Sequence, residues 1–222
     1  MNLDDDITPL EQAILDSDLL ERILNRHRRT AHTLLAEAAL DWVENGCVRY
    51  DDRETSCTAA VVGRLRGKID DGKARALQPM VTLETGAWTE EHFSGLTDPN
   101  TVPRPDVVIW LGLQREARLN VECKRLLSGS ASARDYVADG MCRFLNGRYP
   151  VDEGVGTLIG FLLDRDPPTA ARQINEVIPT VIGRDEFLRH DKPLATLESV
   201  YRSAHTSDIG DVELIHLLLD MN

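Results

Sequence analysis

The apolar residues of this chain change their spacing once, close to Gly72, and that change separates a helical region from a sheet region. Before it, Leu20, Ile23, Leu24, Ala31, Leu34, Leu35, Ala38 and Trp42 recur every three or four residues. This is the stripe of a long amphipathic helix over residues 18–44, ended by Gly46. Thr8, Pro9 and Glu11 form a capping box with proline at the first helical position, so helix begins there behind an acidic leader. A second helix is predicted over 51–66, closed by Gly67 and the Asp71-Gly72 turn. After Gly72, short runs rich in Val and Ile predict strands near 77–84, 106–113 and 118–124, with a loop over 85–104. The short polar stretch 114–117 makes the second and third of these a hairpin. A helix over 132–145 leads to an apolar strand over 155–163, whose lack of alternation implies burial on both faces. A helical segment over 169–188, interrupted by Pro179, precedes strands over 195–201 and 212–219. Helices followed by a sheet with a crossover helix make an α/β fold, read here as an N-terminal helical extension (1–48) and one domain (49–222).

A chain of 222 residues can bury one sizeable core. Its apolar runs fall well short of the roughly 18 residues that a membrane helix needs, and the acidic N-terminus lacks a signal-peptide pattern. The expectation is a cytoplasmic protein without a membrane partner. Cys47, Cys57, Cys123 and Cys142 form no CxxC pair, which argues against structural zinc and for buried reduced thiols. A net charge of −12 speaks against a polyanionic partner, because nonspecific affinity for phosphates comes from Lys and Arg. Basic residues are nevertheless clustered at 22–29, 64–75 and 124–125, and an acidic metal site contributes negative charge that bound cations neutralise.

The chemistry-bearing stretch runs from Arg104-Pro105-Asp106 to Val121-Glu122-Cys123-Lys124. On a strand, Leu119, Val121 and Cys123 face one way, while Asn120, Glu122 and Lys124 face the other. The hairpin brings Asp106 beside Glu122 and Lys124. Two converging carboxylates repel unless a cation sits between them. On the second helix, Glu54 falls within about 20° of Val61 and Leu65 at the helical period, which puts a charge on the sheet-facing stripe.

Pro105-Asp106, a hairpin and Glu122-Cys123-Lys124 together resemble the PD-(D/E)xK signature of restriction-endonuclease-like nucleases, with both halves complete. The resemblance implies a mixed central sheet flanked by helices. It further implies Mg²⁺, or Mn²⁺ as substitute, held by Asp106, Glu122 and the backbone carbonyl of Cys123, with Lys124 positioning or activating the attacking water. Members commonly place an acid on a helix before the sheet, which makes Glu54 the candidate for a further metal or water ligand and Glu37 the fallback. The run Tyr136, Gly140, Met141, Arg143, Phe144, Gly147 resembles the helix after the motif in some prokaryotic, defence-associated relatives. Arg143, Tyr136 and His205 are the candidates for contact with substrate phosphate. The implied activity is that of a Mg²⁺-dependent endonuclease acting on DNA, with RNA as the other polynucleotide, in restriction or antiviral defence. A homodimer and a partner protein subunit are the implied assemblies.

Plainer readings compete at each position. Glu-x-Lys on a strand is ordinarily a solvated face. Glu54 could pair with an arginine such as Arg104, and Cys123 reads as core in preference to a nucleophile. Arg143 and Tyr136 read as packing residues, His205 and His216 as structural histidines, and the basic stretch 26–29 as a helix surface. The alternative for the whole protein is a catalytically silent subunit of the same fold that binds nucleic acid or holds a partner through its helical layer.

Overall fold

The structure is a computed structural model that describes residues 9–45, 53–70, 80–83, 104–111, 117–151 and 154–222. The described elements run α1 (Pro9–Asn45), α2 (Glu54–Lys68), β1 (Met80–Leu83), β2 (Val107–Leu111) and β3 (Ala117–Leu126). Next come α3 (130–145), β4 (Val155–Leu162), α4 (Pro167–Val181), β5 (Arg189–His190), β6 (Val200–Ser207) and β7 (Gly210–Asp220). The strands form one open sheet in the order β1-β2-β3-β4-β7-β6-β5. The β3–β4 and β4–β7 pairs are parallel and the remaining pairs antiparallel, so the sheet is mixed. Among the described residues no helix is long and apolar enough to cross a membrane.

Two apolar clusters sandwich this sheet, and strand alternation assigns residues to them. Ile159 and Phe161 of β4, with Leu119, Val121 and Cys123 of β3, join Leu35, Ala38, Trp42, Val61 and Leu65 of α1 and α2. The Trp42 ring meets Phe161 edge to face, with centroids 5.6 Å apart. Leu158 and Leu162, half a period away, join Tyr136, Phe144, Ile174 and Ile178 of α3 and α4. Two glycines on that second face set how closely α3 can approach. A Cβ on Gly156 would lie 2.6 Å from Phe144 Cδ1, and one on Gly160 3.4 Å from Tyr136 Cε2 and 2.8 Å from Leu218 Cδ2 of the neighbouring strand.

Helix α3 is built of an α-helical turn (Ser130–Asp135), a π-helical stretch (Tyr136–Met141) and a final α-helical turn (Cys142–Leu145). A π-stretch widens the helix by one residue per turn and is common beside functional sites. Here it seats Gly140 on the sheet, where an added Cβ would sit 3.0 Å from Leu158 Cδ2 and 3.7 Å from Lys124 Cγ.

The sheet core and both flanking layers fall where the hydrophobic spacing places them, and two boundaries need correction. Helix α4 starts at Pro167, capped by Asp166 accepting from the Thr169 N–H at 2.7 Å, and runs through Pro179 to Val181. A mid-helix proline costs about 3 kcal/mol. Burying Ile174 and Ile178 outweighs that, at about 1.5–3 kcal/mol per large aliphatic side chain. The penultimate strand is not 195–201 but Val200–Ser207. Residues before it form a turn in which Ala195 adopts φ 53° between the bridged Leu194 and Leu197. The first helix starts at Pro9, where the capping box places it, and runs to Asn45 as one element. Thr8, Gly46, Cys47, Gly72 and the hairpin turn 112–116 lie outside the described residues.

Candidate active site

Glu122 is the centre of the site because it is the most completely enclosed carboxylate among the described residues, with no exposed surface on the α3-facing side of β3. Enclosing a carboxylate without partners is prohibitively costly, so its neighbours are informative. The Lys124 ammonium, two residues along on the same face, sits 2.6 Å from Glu122 Oε1. Arg143 of α3 donates to the same oxygen at 2.7 Å. The other oxygen, Oε2, lies 2.9 Å from the Tyr149 hydroxyl. That hydroxyl also accepts from Arg143 at 2.7 Å and lies 3.0 Å from the Arg104 carbonyl, so its single proton serves either of two acceptors. Burial, and then the Glu122 charge, push the Tyr149 phenol well above the ordinary tyrosine range.

Asp106 immediately precedes β2, and the register Val107↔Val121 places it opposite Glu122. Its Oδ2 accepts from the Cys123 N–H at 2.7 Å. Burial first, and then the adjacent Glu122 charge, raise the Asp106 carboxyl from its usual 3.8 to about 7, against the pull of the Cys123 N–H and Lys124. Glu54 enters from the opposite layer, at the first residue of α2. Its Oε2 accepts from the Arg125 N–H at 3.0 Å, and its Oε1 lies 3.4 Å from Lys124 Nζ. Glu54 therefore reaches across the sheet to Lys124 and does not pair with Arg104. Burial works against the Lys124 ammonium, but Glu122, Glu54 and Asp106 outweigh it and hold its pKa above the ordinary lysine range. A lysine so held carries its positive charge at neutral pH while these three carboxylates face it.

Asp106, Glu122, Lys124, Glu54 and Arg143 are thus brought together, with Cys123 supplying its backbone. The Cys123 thiol itself is buried, and burial, then Asp106, push its pKa well above the ordinary cysteine range, which makes it a core group and a poor nucleophile. Tyr136 and His205 are not brought to the site. Tyr136 is fully buried with its hydroxyl 2.9 Å from His216 Nδ1, and His205, 3% exposed, lies 2.9 Å from Glu186. Neither can touch a polynucleotide, which corrects the expectation that they contact substrate. Glu37 lines a separate hollow on α1 with Arg22, Arg26 and Arg29.

The functional residue that sequence reasoning missed is Tyr149. It is delivered by a turn after α3 in which Gly147 takes φ 72° and the Tyr149 N–H donates to the Arg143 carbonyl at 2.8 Å. Asn120 fixes the same turn by donating to the Pro150 carbonyl at 2.6 Å. The one signal in the chain is that Asn120 shares the alternation of Glu122 and Lys124, a buried amide on the functional face.

The donor types offered by Asp106, Glu122 and Glu54 are hard oxygens, the kind that suits Mg²⁺ or Mn²⁺. Among the described residues no three such groups are gathered tightly enough around one point to form a finished metal cage. Glu122 Oε1 instead carries two cationic side chains. Comparison with protein-family models, curated proteins and solved structures finds no match to this chain.

Proposed function

We propose that the protein is a metal-dependent phosphodiester hydrolase of the PD-(D/E)xK, restriction endonuclease-like kind, acting on DNA. The observation that carries this reading is the meeting of Asp106, Glu122 and Lys124 at the junction of β2 and β3, with Glu54 closing the group from α2. Burial first, and then the neighbouring Glu122 and Glu54 charges, raise the Asp106 carboxyl, which fits a site that takes up a divalent cation. Asp106, Glu122 and the Cys123 carbonyl would hold Mg²⁺, which when bound polarises the scissile phosphate and acidifies water.

The chain's own groups account for the rest of the chemistry. Lys124, held protonated by Glu122 and Glu54, stabilises negative charge on a phosphate oxygen and orients the water that attacks it. Glu54 fixes Lys124 and is the nearest further carboxylate that could accept a hydrogen bond from that water. Arg143 and Tyr149 hold Glu122 in one orientation. Arg143 also keeps part of its surface open, with 27% of its side chain exposed, and can meet the substrate backbone. A role in restriction or defence belongs to the same proposal by resemblance alone.

Incubation of the purified protein with plasmid and linear duplex DNA, in Mg²⁺ or Mn²⁺ against EDTA, tests the reading, with RNA as a parallel substrate. Cleavage that needs the cation and drops at least about 100-fold in Lys124→Ala is expected, the scale of a lost charge-stabilising group. Cleavage by Lys124→Ala at the wild-type rate refutes it. The second reading, a silent subunit of the same fold, is favoured by one observation, the double cationic lock on Glu122. Calorimetric titration with Mn²⁺ separates the two, since a silent subunit gives no binding that Asp106→Asn removes.

A further inference from the structure

A hollow of about 530 Å³ opens on the α1-facing side of the sheet, between α1 and the segment linking β5 to β6. Its floor contains Val155, Leu194 and Ile215. Val155 and Glu213 lie at the starts of β4 and β7, whereas Glu122 pairs with Leu158 further along β4 and faces the other layer. The hollow is therefore separate from the acid cluster, on the opposite face of the sheet.

Its charge is the reverse of the protein's. In a chain of net charge −12, the walls hold four cations (Arg28, Arg29, Lys192 and Arg202) against two carboxylates, Asp191 and Glu213, a local balance of +2. Both carboxylates are engaged by one cation: Arg202 Nε lies 2.7 Å from Asp191 and its Nη1 pairs with Glu213. Arg28 is only 4% exposed, and its Nη1 donates to Asn25 at 3.2 Å. The crowding of cations is felt by His32, fully enclosed and 2.9 Å from Thr157 Oγ1. Burial, then Arg202 and Arg28, lower its pKa to about 4, so the ring is neutral at physiological pH and adds no charge of its own.

A concave site of this volume with an apolar floor and convergent polar groups has the dimensions of a small-molecule pocket. Clustered guanidinium groups recognise phosphate, and the apolar floor accepts a flat ring. We infer that the hollow between α1 and the β5–β6 segment binds a small organic phosphate of nucleotide size. The phosphate sits among Arg28, Arg29 and Lys192 and the ring on Val155, Leu194 and Ile215. A neighbouring hollow lined by Arg22 and Arg26 shares Asn25 and Arg29 with it, extending positive potential along α1 toward the approaching anion.

The inference does not rest on the hydrolase reading, and its test is run in EDTA so that the acid cluster does not contribute. Adenosine 5′-monophosphate, inorganic phosphate and a single-stranded oligonucleotide are titrated into the full chain at low salt by calorimetry, with the His32 ring followed by NMR. Expected is saturable binding of the mononucleotide with a dissociation constant below about 1 mM. It should be at least about 10-fold tighter than inorganic phosphate, with a shift of the His32 resonances. Arg29→Glu and Lys192→Glu, both at exposed positions, should each weaken binding about 10-fold or more with an unchanged circular dichroism spectrum, whereas Asp106→Asn should leave it intact. Absence of saturable binding, indifference to both charge reversals, or tighter binding of the oligonucleotide than of the mononucleotide at these residues would overturn it.

Discussion

Replacing Asp106 by Asn should make the metal-free protein more stable while removing its activity. In the folded chain the Asp106 carboxyl titrates near 7 instead of its usual 3.8, a difference of about 3 pH units. At about 1.4 kcal/mol per unit, the ionised form is disfavoured on folding by up to about 4 kcal/mol. The sign follows from proton counting: between pH 4 and 7 Asp106 binds its proton more fully in the folded than in the unfolded chain, so its contribution to stability falls as pH rises through that window and the penalty is complete above it. Asn carries no charge to repel Glu122 and Glu54, and its Oδ1 can still accept the Cys123 N–H. Allowing for partial solvent access at Asp106, the variant should gain roughly 2–4 kcal/mol at pH 8, or about 5–15 °C for a chain of this size. At pH 4 the two proteins should be nearly equal. Urea denaturation in EDTA at both pH values measures it. A variant no more stable than wild type at pH 8, or a stability difference between the two proteins that is the same at pH 4 and pH 8, refutes the claim that burial and crowding of the Asp106 carboxylate strain the site.

Three other outcomes are expected. Tyr149→Phe removes the hydroxyl between Glu122 Oε2 and Arg143, costing about 1–3 kcal/mol in urea denaturation and lowering any cleavage rate by at least about 10-fold without changing the cation requirement. Ser203→Ala cuts the buried chain Tyr136–His216–Ser203–His205–Glu186 at its middle, where Ser203 Oγ lies 2.9 Å from His216 Nε2 and 2.7 Å from His205 Nε2. Two ring nitrogens lose their partner, and a loss of about 2–4 kcal/mol by thermal or urea unfolding is expected, since each buried unsatisfied group costs about 1–3 kcal/mol. Gly156→Ala drives a Cβ to 2.6 Å from Phe144 and 2.9 Å from Leu214, both enclosed, and should destabilise by about 1–3 kcal/mol while displacing α3, visible in near-ultraviolet circular dichroism.

What was legible in the sequence follows a physical rule: strands whose side-chain types agree with their burial were placed well, and a strand in which the two conflict was misplaced. Val155 to Leu162 is apolar but for Thr157 and buried almost throughout, and its strand was legible within a residue. Strand β6 buries Ser203 and His205 on its inward-facing positions, so its alternation is invisible to a hydrophobic pattern and the strand was placed five residues early. The same conflict worked in favour of detection at Glu54, because a charge on an apolar stripe stands out. Lys124 and Glu122 were legible as a pair because strand alternation fixes i and i+2 on one face. Tyr149 was not, because its place depends on a turn and on Asn120, contacts that no spacing within one element encodes. Pro179 misled in the other direction, since local backbone chemistry predicted a break that the burial of Ile174 and Ile178 overrides.

The distribution of partners among the carboxylates carries a further consequence. Glu122 takes both cationic side chains and a phenol, and Glu54 takes a backbone N–H and a share of Lys124. Asp106, facing both, accepts from a backbone amide and carries the strain. The cationic lock thus does two things at once: it fixes the geometry of Glu122, and it leaves the unmet demand for positive charge at Asp106, the acid at the strand end. Any cation that enters would be drawn first to Asp106, where it relieves the most repulsion. Asp106 and Glu122 would hold such a cation together, and its charge at Glu122 would loosen the contacts of Lys124 and Arg143 with Oε1. Lys124, already tied to Glu54, has a second carboxylate to hold it when that happens, so it can remain charged and close by. Glu54 on α2 would therefore keep the ammonium beside the site if Glu122 changed partners.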